Sequence, residues 1–243
     1  MIGNRKKYAL LFLCFCWLGA AFGCAPPPYR IHPEFETRTK NMKALGLLSP
    51  DIRIYEFTAG GLRDRRPDWC ALGKENVQGA LIECFREKPF DVKPLVVDKE
   101  MEEEMEDIHA LYRAVARSIR ECTYGDFKFP GKMKHFDYSI GPIDQILQKH
   151  GADGLIFASG FDEISTAGRK ALQATAVVVG VLAGVAVVPR SGITVISAAL
   201  VDPSGAILWY NIKANQGGYD LRERDSATKF IRSVISEYPE ATK

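Results

Sequence analysis

The sequence predicts an α/β fold in which helices flank a β-sheet. Three apolar runs of strand length, each bounded by turn residues, occur at 154–160, 193–201 and 206–211. Apolar residues at helical spacing appear in other parts of the chain, at 75–86, 98–120 and from 225 onward. Segments of both kinds in one chain indicate an α/β fold.

The first 23 residues have the pattern of a secretory signal peptide. Basic residues at 5–7 precede an apolar stretch from 8 to 22, which is shorter than a membrane-spanning helix. The residues Ala21-Phe22-Gly23-Cys24 resemble the lipobox of bacterial lipoproteins, in which the cysteine is acylated and becomes the new N-terminus. Ala21 stands where such motifs usually carry Leu, so an ordinary secreted protein cut near Cys24 is the alternative.

We expect three regions: the signal peptide at 1–23, the lipidated Cys24 with a Pro-rich tether at 24–48, and a single α/β domain at 49–243. Removal of the signal takes away three positive charges and changes the formal net charge from +2 to −1. That balance gives no reason to expect nucleic acid, and anchoring would depend on acyl chains such as palmitate.

Within the domain, the alternating segment 52–57 should be the first strand and 90–97 the second. The charged segment 63–68 between them is expected to be a solvated loop. A short helix from Pro142 should end at Gly151, where glycine permits a left-handed stop.

The C-terminal part is expected to form a β-hairpin and a helix. Pro203 and Gly205 in the turn 202–205 favour an antiparallel pair of the strands 193–201 and 206–211. Asp225 or Ser226 is a candidate N-cap for the last helix.

An apolar Gly/Ala-rich insertion at 174–188 precedes this hairpin. Ala176, Gly180 and Gly184 repeat every four residues and would form a smooth helical ridge that permits close approach of another backbone. Three interpretations stay open: a buried helix covering the sheet, a membrane hairpin, or a contact with a neighbouring subunit.

Two charged segments were candidates for binding. Acidic residues at 98–107 could hold a divalent cation, but neighbouring acids on a helix diverge, which favours a solvated helix start. Aromatic residues alternate with lysines at 123–138, which suits either a contact with lipid headgroups, glycan or protein, or a loop pinned by its own rings.

Three cysteines remain after the lipid-bearing one. Cys70 and Cys84 close the shortest loop if one pair bridges, which would leave Cys122 unpaired. Three reduced, buried thiols are the alternative.

The sequence carries no motif of a known catalytic or cofactor site. Walker-type phosphate loops, dinucleotide glycine fingerprints, nucleophile elbows and zinc-ligand spacings are all missing, and the histidines are dispersed. Ser159 precedes Gly160 at the end of a strand, but no acid or histidine can be assigned to it. We therefore expect no enzyme activity, cofactor, metal or small-molecule substrate.

Residues 151–157 (Gly-Ala-Asp-Gly-Leu-Ile-Phe), 199–202 (Ala-Leu-Val-Asp) and 205–209 (Gly-Ala-Ile-Leu-Trp) resemble the envelope lipoprotein superfamily that contains the curli secretion lipoprotein CsgG and TolB-type N-terminal domains. The resemblance implies a mixed sheet packed with helices and work through protein contacts. Ala25 after Cys24 is not the Asp that retains lipoproteins in the inner membrane, so it also implies the outer membrane, facing the periplasm.

The function expected from these observations is that of a lipid-anchored, non-enzymatic scaffold or accessory in envelope assembly or secretion, with other envelope proteins or further copies of itself as partners. A pore or secretion-channel subunit that uses 174–188 is the first alternative, although two alternating membrane hairpins are lacking. A hydrolase using Ser159 or a thiol is the second.

Overall fold

The computed structural model describes residues 27–182 and 192–239, so the predicted signal peptide, Cys24 and Gly184 lie outside the described residues. The strands are β1 Arg30–Ile31, β2 Ala44–Leu47, β3 Asp51–Phe57, β4 Arg63–Arg65, β5 Asp91–Pro94, β6 Gly154–Ser165, β7 Ile193–Val201 and β8 Ile207–Gln216. The helices are α1 Phe35–Thr39, α2 Pro67–Arg86, α3 Glu102–Ile119, α4 Pro130–Lys134, α5 Asp144–His150, α6 Ala167–Leu182 and α7 Arg224–Ile235. A 3₁₀ turn precedes α3, and a π-helical turn at Arg120–Tyr124 follows it.

The strands form one mixed sheet around β6. On one side β6 pairs with β7, which pairs with β8, and all of these are antiparallel. On the other side β6 runs parallel to β2 along its first half and to β3 along its second half. β2 and β3 thus follow each other along the same edge of β6. On their outer edges, β2 pairs with β5 and β3 pairs with β4. The predicted fold class is confirmed.

Helices cover both faces of the sheet. Alternate side chains of β6 point to opposite faces, so Ile156 packs with α2 and α7 whereas Leu155 and Phe157 pack with α3 and α5. Tyr112 of α3 stacks on Phe157 with ring centroids 4.4 Å apart. The run at 154–158 is therefore apolar because both of its faces are buried, whereas Ser159 and Gly160 after it are half-buried.

Residues 30–48 contribute β1, α1 and β2 to the folded domain, so the fold begins before residue 49. β1 pairs with β8, and β2 lies between β5 and β6 with Leu45 and Leu47 each 1% exposed. The expectation that 52–57 is the first strand is therefore wrong, since it is the third. A four-residue strand is too short to show a periodicity of its own. The segment 63–68, expected as a loop, contains the exposed edge strand β4 and the start of α2.

The motif at 151–153 has a structural explanation. Gly151 ends α5 with a φ of +61°, as the sequence predicted. The Asp153 carboxylate then accepts hydrogen bonds from the N–H groups of Lys43 and Ala44 at 2.7 and 2.9 Å, which holds the start of β2 beside β6.

The predicted hairpin of β7 and β8 is also present. Gly205 has a φ of +79°, and its N–H donates to the Asp202 carbonyl oxygen at 2.8 Å. The Asp202 carboxylate accepts hydrogen bonds from the Ser204 hydroxyl and the Ala206 N–H.

The capping prediction for the last helix is wrong. The N-cap of α7 is Glu223, which makes no side-chain capping bond. The Ser226 hydroxyl instead accepts the Asp220 N–H at 2.8 Å and so fixes the loop that leads into the helix.

Candidate functional site

The cysteines do not form the disulfide considered from the sequence. Cys70 and Cys84 both lie on α2, 14 positions apart, which separates them by about 21 Å at 1.5 Å per residue. A disulfide requires Cα atoms within about 7 Å, so this pairing is excluded and the three cysteines are free thiols. Cys70 has a packing role, because its Sγ accepts the Ile54 N–H at 3.1 Å and joins α2 to β3. Burial raises the pKa of the Cys84 thiol, which lowers its reactivity.

Helix α6 contains the beginning of the small-residue ridge. Its side chains from 167 to 176 are exposed or half-buried, including Ala176, and Leu172 is 58% exposed. Within the segment 174–188, the described side chains are those at 174–176 and 182, which are exposed or half-buried, and the three interpretations of the whole segment stay predictions. Gly180 lies on the same helix, whereas Gly184 falls outside the described residues.

A cleft opens at the edge of the sheet between β4 and β5. The strand β5 pairs with β2 only as far as Leu47, and β4 pairs with β3 only from Tyr55, so the intervening edge has no strand beside it. Helix α2 borders the gap from one face and α3 from the other, which leaves a volume of about 720 Å³. Its lining residues with a carboxylate, basic or imidazole side chain are Asp51, Arg65, Lys74, Glu106, Asp107, His109 and Arg113.

The electrostatics of this sheet-edge cleft combine both signs of charge. Burial lowers the pKa of His109, and the nearby Arg113 acts in the same direction. His109 therefore stays neutral at pH 7 and packs edge-on against Phe157 at 6.2 Å. A broad, polar cleft with lysine, arginine and carboxylates on its walls suits a charged segment of another protein better than a small molecule, which needs an enclosed and largely apolar pocket.

No local pattern in the sequence identified this cleft. Lys74 and Arg113 come from different helices and line the same cleft, which exists because no strand covers the edge between β4 and β5. The one local cue was Pro50, since proline lacks an N–H for a sheet and marks strand ends.

A second group of charges lies where β6 leaves the centre of the sheet. Asp162 accepts hydrogen bonds from the Thr194 hydroxyl at 2.7 Å and from the Leu221 N–H at 2.9 Å, and burial raises its pKa to about 6. The Glu163 side chain is 0% exposed and lies 2.6 Å from the guanidinium of Arg63. Asp162 joins the end of β6 to the loop before α7, and the Glu163 pair joins it to β4.

The aromatic and lysine-rich segment divides into two parts. Phe136 and Tyr138 are buried and pin the chain to the α3 face, as one interpretation of the sequence expected. Phe127 and Phe129 are instead 88% and 60% exposed, as the other interpretation expected. We call residues 125–134, which contain this exposed pair and α4, the aromatic loop.

The N-terminal segment is fixed beside the base of this loop. The Arg30 guanidinium donates to the Thr123 carbonyl oxygen at 2.7 Å and lies 4.4 Å from the centre of the Tyr124 ring. The Tyr124 hydroxyl in turn donates to the Tyr210 carbonyl oxygen on β8 at 3.3 Å. The point where the described chain begins, at Pro27, is therefore held on the same side of the domain as the aromatic loop.

Ser159 lies within β6 and exchanges a hydrogen bond of 3.1 Å with the Ser197 hydroxyl on β7. The acidic residues at the start of α3 point outward, with Glu102, Glu103 and Glu104 exposed. Across 27–182 and 192–239, no three His, Cys, Asp or Glu side chains converge as metal ligands would. Within those same ranges, no helix has both the length and the apolar character to cross a membrane.

Comparisons with known proteins add little. No protein-family model and no curated protein matches the chain. Among solved structures, the chain is similar to the C-terminal domain of LpoB from Salmonella enterica, at 11% identity and a TM-score of 0.26 over 76% of this chain and 93% of that chain. A TM-score of that size carries no argument about the function of this chain.

Proposed function

We propose that this chain is a lipid-anchored protein of the outer membrane, facing the periplasm, that acts without catalysis as a scaffold or accessory in envelope assembly or secretion. The observation that carries the proposal is the short distance in sequence between Cys24 and the folded domain. The signal pattern ends at Cys24, and Pro27 is already held by Arg30 at 3.0 Å. An acyl group on Cys24 would thus hold the domain directly at the membrane.

The resemblance to the CsgG and TolB-type lipoproteins supports the same class of function. The residues that carry it have structural roles here, since Asp153 and Asp202 receive backbone N–H groups and Trp209 is fully buried. They support a fold used for protein contacts and suggest no chemistry. The sheet-edge cleft, with its mixed charge, is the surface we assign to an envelope partner.

The anchor is tested by expressing the full chain in a bacterium and measuring the intact mass of the membrane-extracted protein. We expect cleavage before Cys24 and the added mass of a diacylglycerol and a third acyl chain. A Cys24→Ala variant should lose that mass and leave the outer-membrane fraction. An unmodified N-terminus in the wild-type protein would disprove the anchor.

The absence of catalysis is tested separately. Fluorophosphonate and iodoacetamide probes should leave Ser159 and the two buried thiols unlabelled in the folded protein, because Ser159 has no general base beside it among the described residues. Stoichiometric labelling of Ser159 would favour the hydrolase.

A pore or secretion-channel subunit is the second candidate, and the exposed apolar side chains of α6 favour it. Leu172 is 58% and Leu182 is 82% exposed, as expected of a helix that contacts another copy. If this candidate is correct, the detergent-extracted protein should be a ring whose mass falls to that of a monomer after deletion of 174–188. A folded monomer before and after the deletion would exclude it.

A further inference from the structure

The aromatic loop presents two aromatic rings, separated by one residue in the sequence, to solvent. Phe127 and Phe129 are the more exposed of its apolar side chains, at 88% and 60%. The Phe129 N–H donates to the Cys122 carbonyl oxygen at 2.8 Å, and the Gly125 N–H donates to the Arg120 carbonyl oxygen at 2.8 Å. These two hydrogen bonds close the loop at its base, and both rings are exposed to solvent.

Basic side chains surround these rings. Lys128 lies between them and Lys134 follows on α4, both exposed. Lys132 already has partners within the domain, because its ammonium group pairs with the Asp137 carboxylate at 2.6 Å and lies over the Tyr138 ring. Residues 126–137 carry three lysines against two aspartates, whereas the chain after residue 23 is net negative. Exposed rings with neighbouring lysines fit the headgroup region of an anionic bilayer, where rings insert shallowly and lysines contact phosphates.

The position of the loop relative to the N-terminus gives it a direction. Arg30 ties the segment that starts at Pro27 to Tyr124, and Tyr124 lies three residues before Phe127. Cys24 lies three residues before Pro27. Each of these three-residue steps spans at most about 10 Å. The anchor and the rings thus emerge from the same side of the domain.

We propose that the aromatic loop is a membrane-docking element that inserts Phe127 and Phe129 into the headgroup region of an anionic phospholipid surface. Its orientation toward the membrane rests on the proposed lipid anchor, whereas its affinity for lipid follows from its own side chains. Together, a single anchor point and this second contact would fix the orientation of the domain, so that the sheet-edge cleft faces a constant direction.

The test uses the full mature protein reconstituted in vesicles of phosphatidylcholine with 30% phosphatidylglycerol (about a third anionic, to supply the expected surface charge). Phe127→Trp places a fluorescent reporter in the loop, and Leu62→Trp is the matched control, since Leu62 is 73% exposed on the turn between β3 and β4. Lipids brominated near the headgroup should quench Phe127→Trp at least about twofold more strongly than Leu62→Trp. Substituting Lys128 and Lys134 by alanine, or omitting phosphatidylglycerol, should reduce that quenching.

Three results would overturn the proposal. The first is equal quenching at both positions, and the second is quenching that does not change when phosphatidylglycerol is omitted or the two lysines are substituted. The third is a Phe127→Trp reporter that is shielded from acrylamide only when envelope proteins are added. The last result would assign the loop to a protein partner. The intact mass of the same sample reports acylation of Cys24 separately. An unacylated protein that still shows quenching at Phe127→Trp after addition to vesicles would remove the anchor and retain the docking element.

Discussion

At the scale of single residues, the buried carboxyl group of Asp162 makes the stability of the domain depend on pH. Burial raises its pKa to about 6 from an ordinary value of 3.8. Below about pH 4 the Asp162 carboxyl is protonated in both the folded and the unfolded protein. As the pH rises from there through about 6, the free energy of unfolding falls, because the carboxyl of the unfolded chain ionises more readily than the buried one. The shift corresponds to about 3 kcal/mol.

Asp162→Asn should remove this dependence. Between pH 4 and 7, the free energy of unfolding of the variant should improve relative to wild type by up to about 3 kcal/mol, measured by urea denaturation at each pH. The variant loses part of the hydrogen bonding to Thr194 and Leu221, so its absolute stability at pH 4 should be lower. Parallel curves for the two proteins would contradict the role assigned to Asp162.

The pair of Arg63 and Glu163 gives a second prediction at this scale. Removing one partner of a buried pair leaves an uncompensated charge, and the Glu163 oxygens accept no aligned hydrogen bond among the described residues. Arg63→Ala should cost about 2 kcal/mol, less than for a fully buried pair because Arg63 is half exposed.

Two variants control this prediction. Arg65→Ala, two positions further along β4 and exposed, should change the stability by less than about 0.5 kcal/mol. Glu163→Gln in the Arg63→Ala background should recover part of the loss, because it removes the unpaired charge. Equal effects of the two arginine substitutions would show that the ion pair is not what stabilises β4.

At the scale of elements, the hairpin of β7 and β8 depends on the backbone freedom of Gly205. Its φ is +79°, and a Cβ atom there would clash with the Gly141 carbonyl oxygen of the segment before α5. Gly205→Ala should therefore cost at least about 2 kcal/mol, measured by thermal and urea unfolding.

Gly79→Ala is the matched control for this substitution. Gly79 lies on the exposed side of α2, and a Cβ atom there meets nothing within 4 Å. Alanine should stabilise the helix by about 0.5 to 1 kcal/mol, because glycine loses more backbone entropy on folding. Destabilisation by both substitutions, to the same extent, would contradict the explanation from backbone geometry.

The elements that the sequence predicted best are those with a long apolar pattern or a specific turn residue. The strand at 154–160, the hairpin at 202–205 and the stop at Gly151 were correct because burial on both faces, Pro203 with Gly205, and a left-handed glycine are local signals. β2 and β4 were missed because four and three residues cannot establish a period. β2 is assigned by its pairing with β5 and β6, far along the chain, and β4 by its antiparallel pairing with the neighbouring strand β3.

The candidate site was less predictable than the fold for the same physical reason. The sheet-edge cleft is formed by residues from β3, α2 and α3 that only the tertiary structure brings together. The disulfide considered between Cys70 and Cys84 does not form, because the residues that separate the two cysteines belong to a single helix. The aromatic and lysine-rich segment was recognised from its composition, but only burial separates the rings that pin it from those that remain exposed.

At the scale of the whole molecule, the N-terminal segment is a structural part of the domain as well as the connection to the proposed anchor at Cys24. β2 lies between β6 and β5, so removing it would separate β5 from the rest of the sheet. Leu45, Leu47 and Leu48 are each 1% exposed. Burying three leucines contributes roughly 6 kcal/mol, which is comparable to the entire net stability of a typical domain.

A chain that begins at Ser49 should therefore fail to fold, whereas one that begins at Pro27 should unfold cooperatively in urea. Circular dichroism and the dispersion of amide proton shifts would distinguish the two, since loss of β2 exposes the neighbouring edge of β6 along 154–156. The triple substitution of Leu45, Leu47 and Leu48 by serine in the longer chain separates a packing effect from a length effect, and it should also unfold the domain. Equal urea midpoints for the two chains would show that residues 27–48 are a tether. The proposed docking geometry would then lose the rigid connection that it requires between the proposed anchor and the domain.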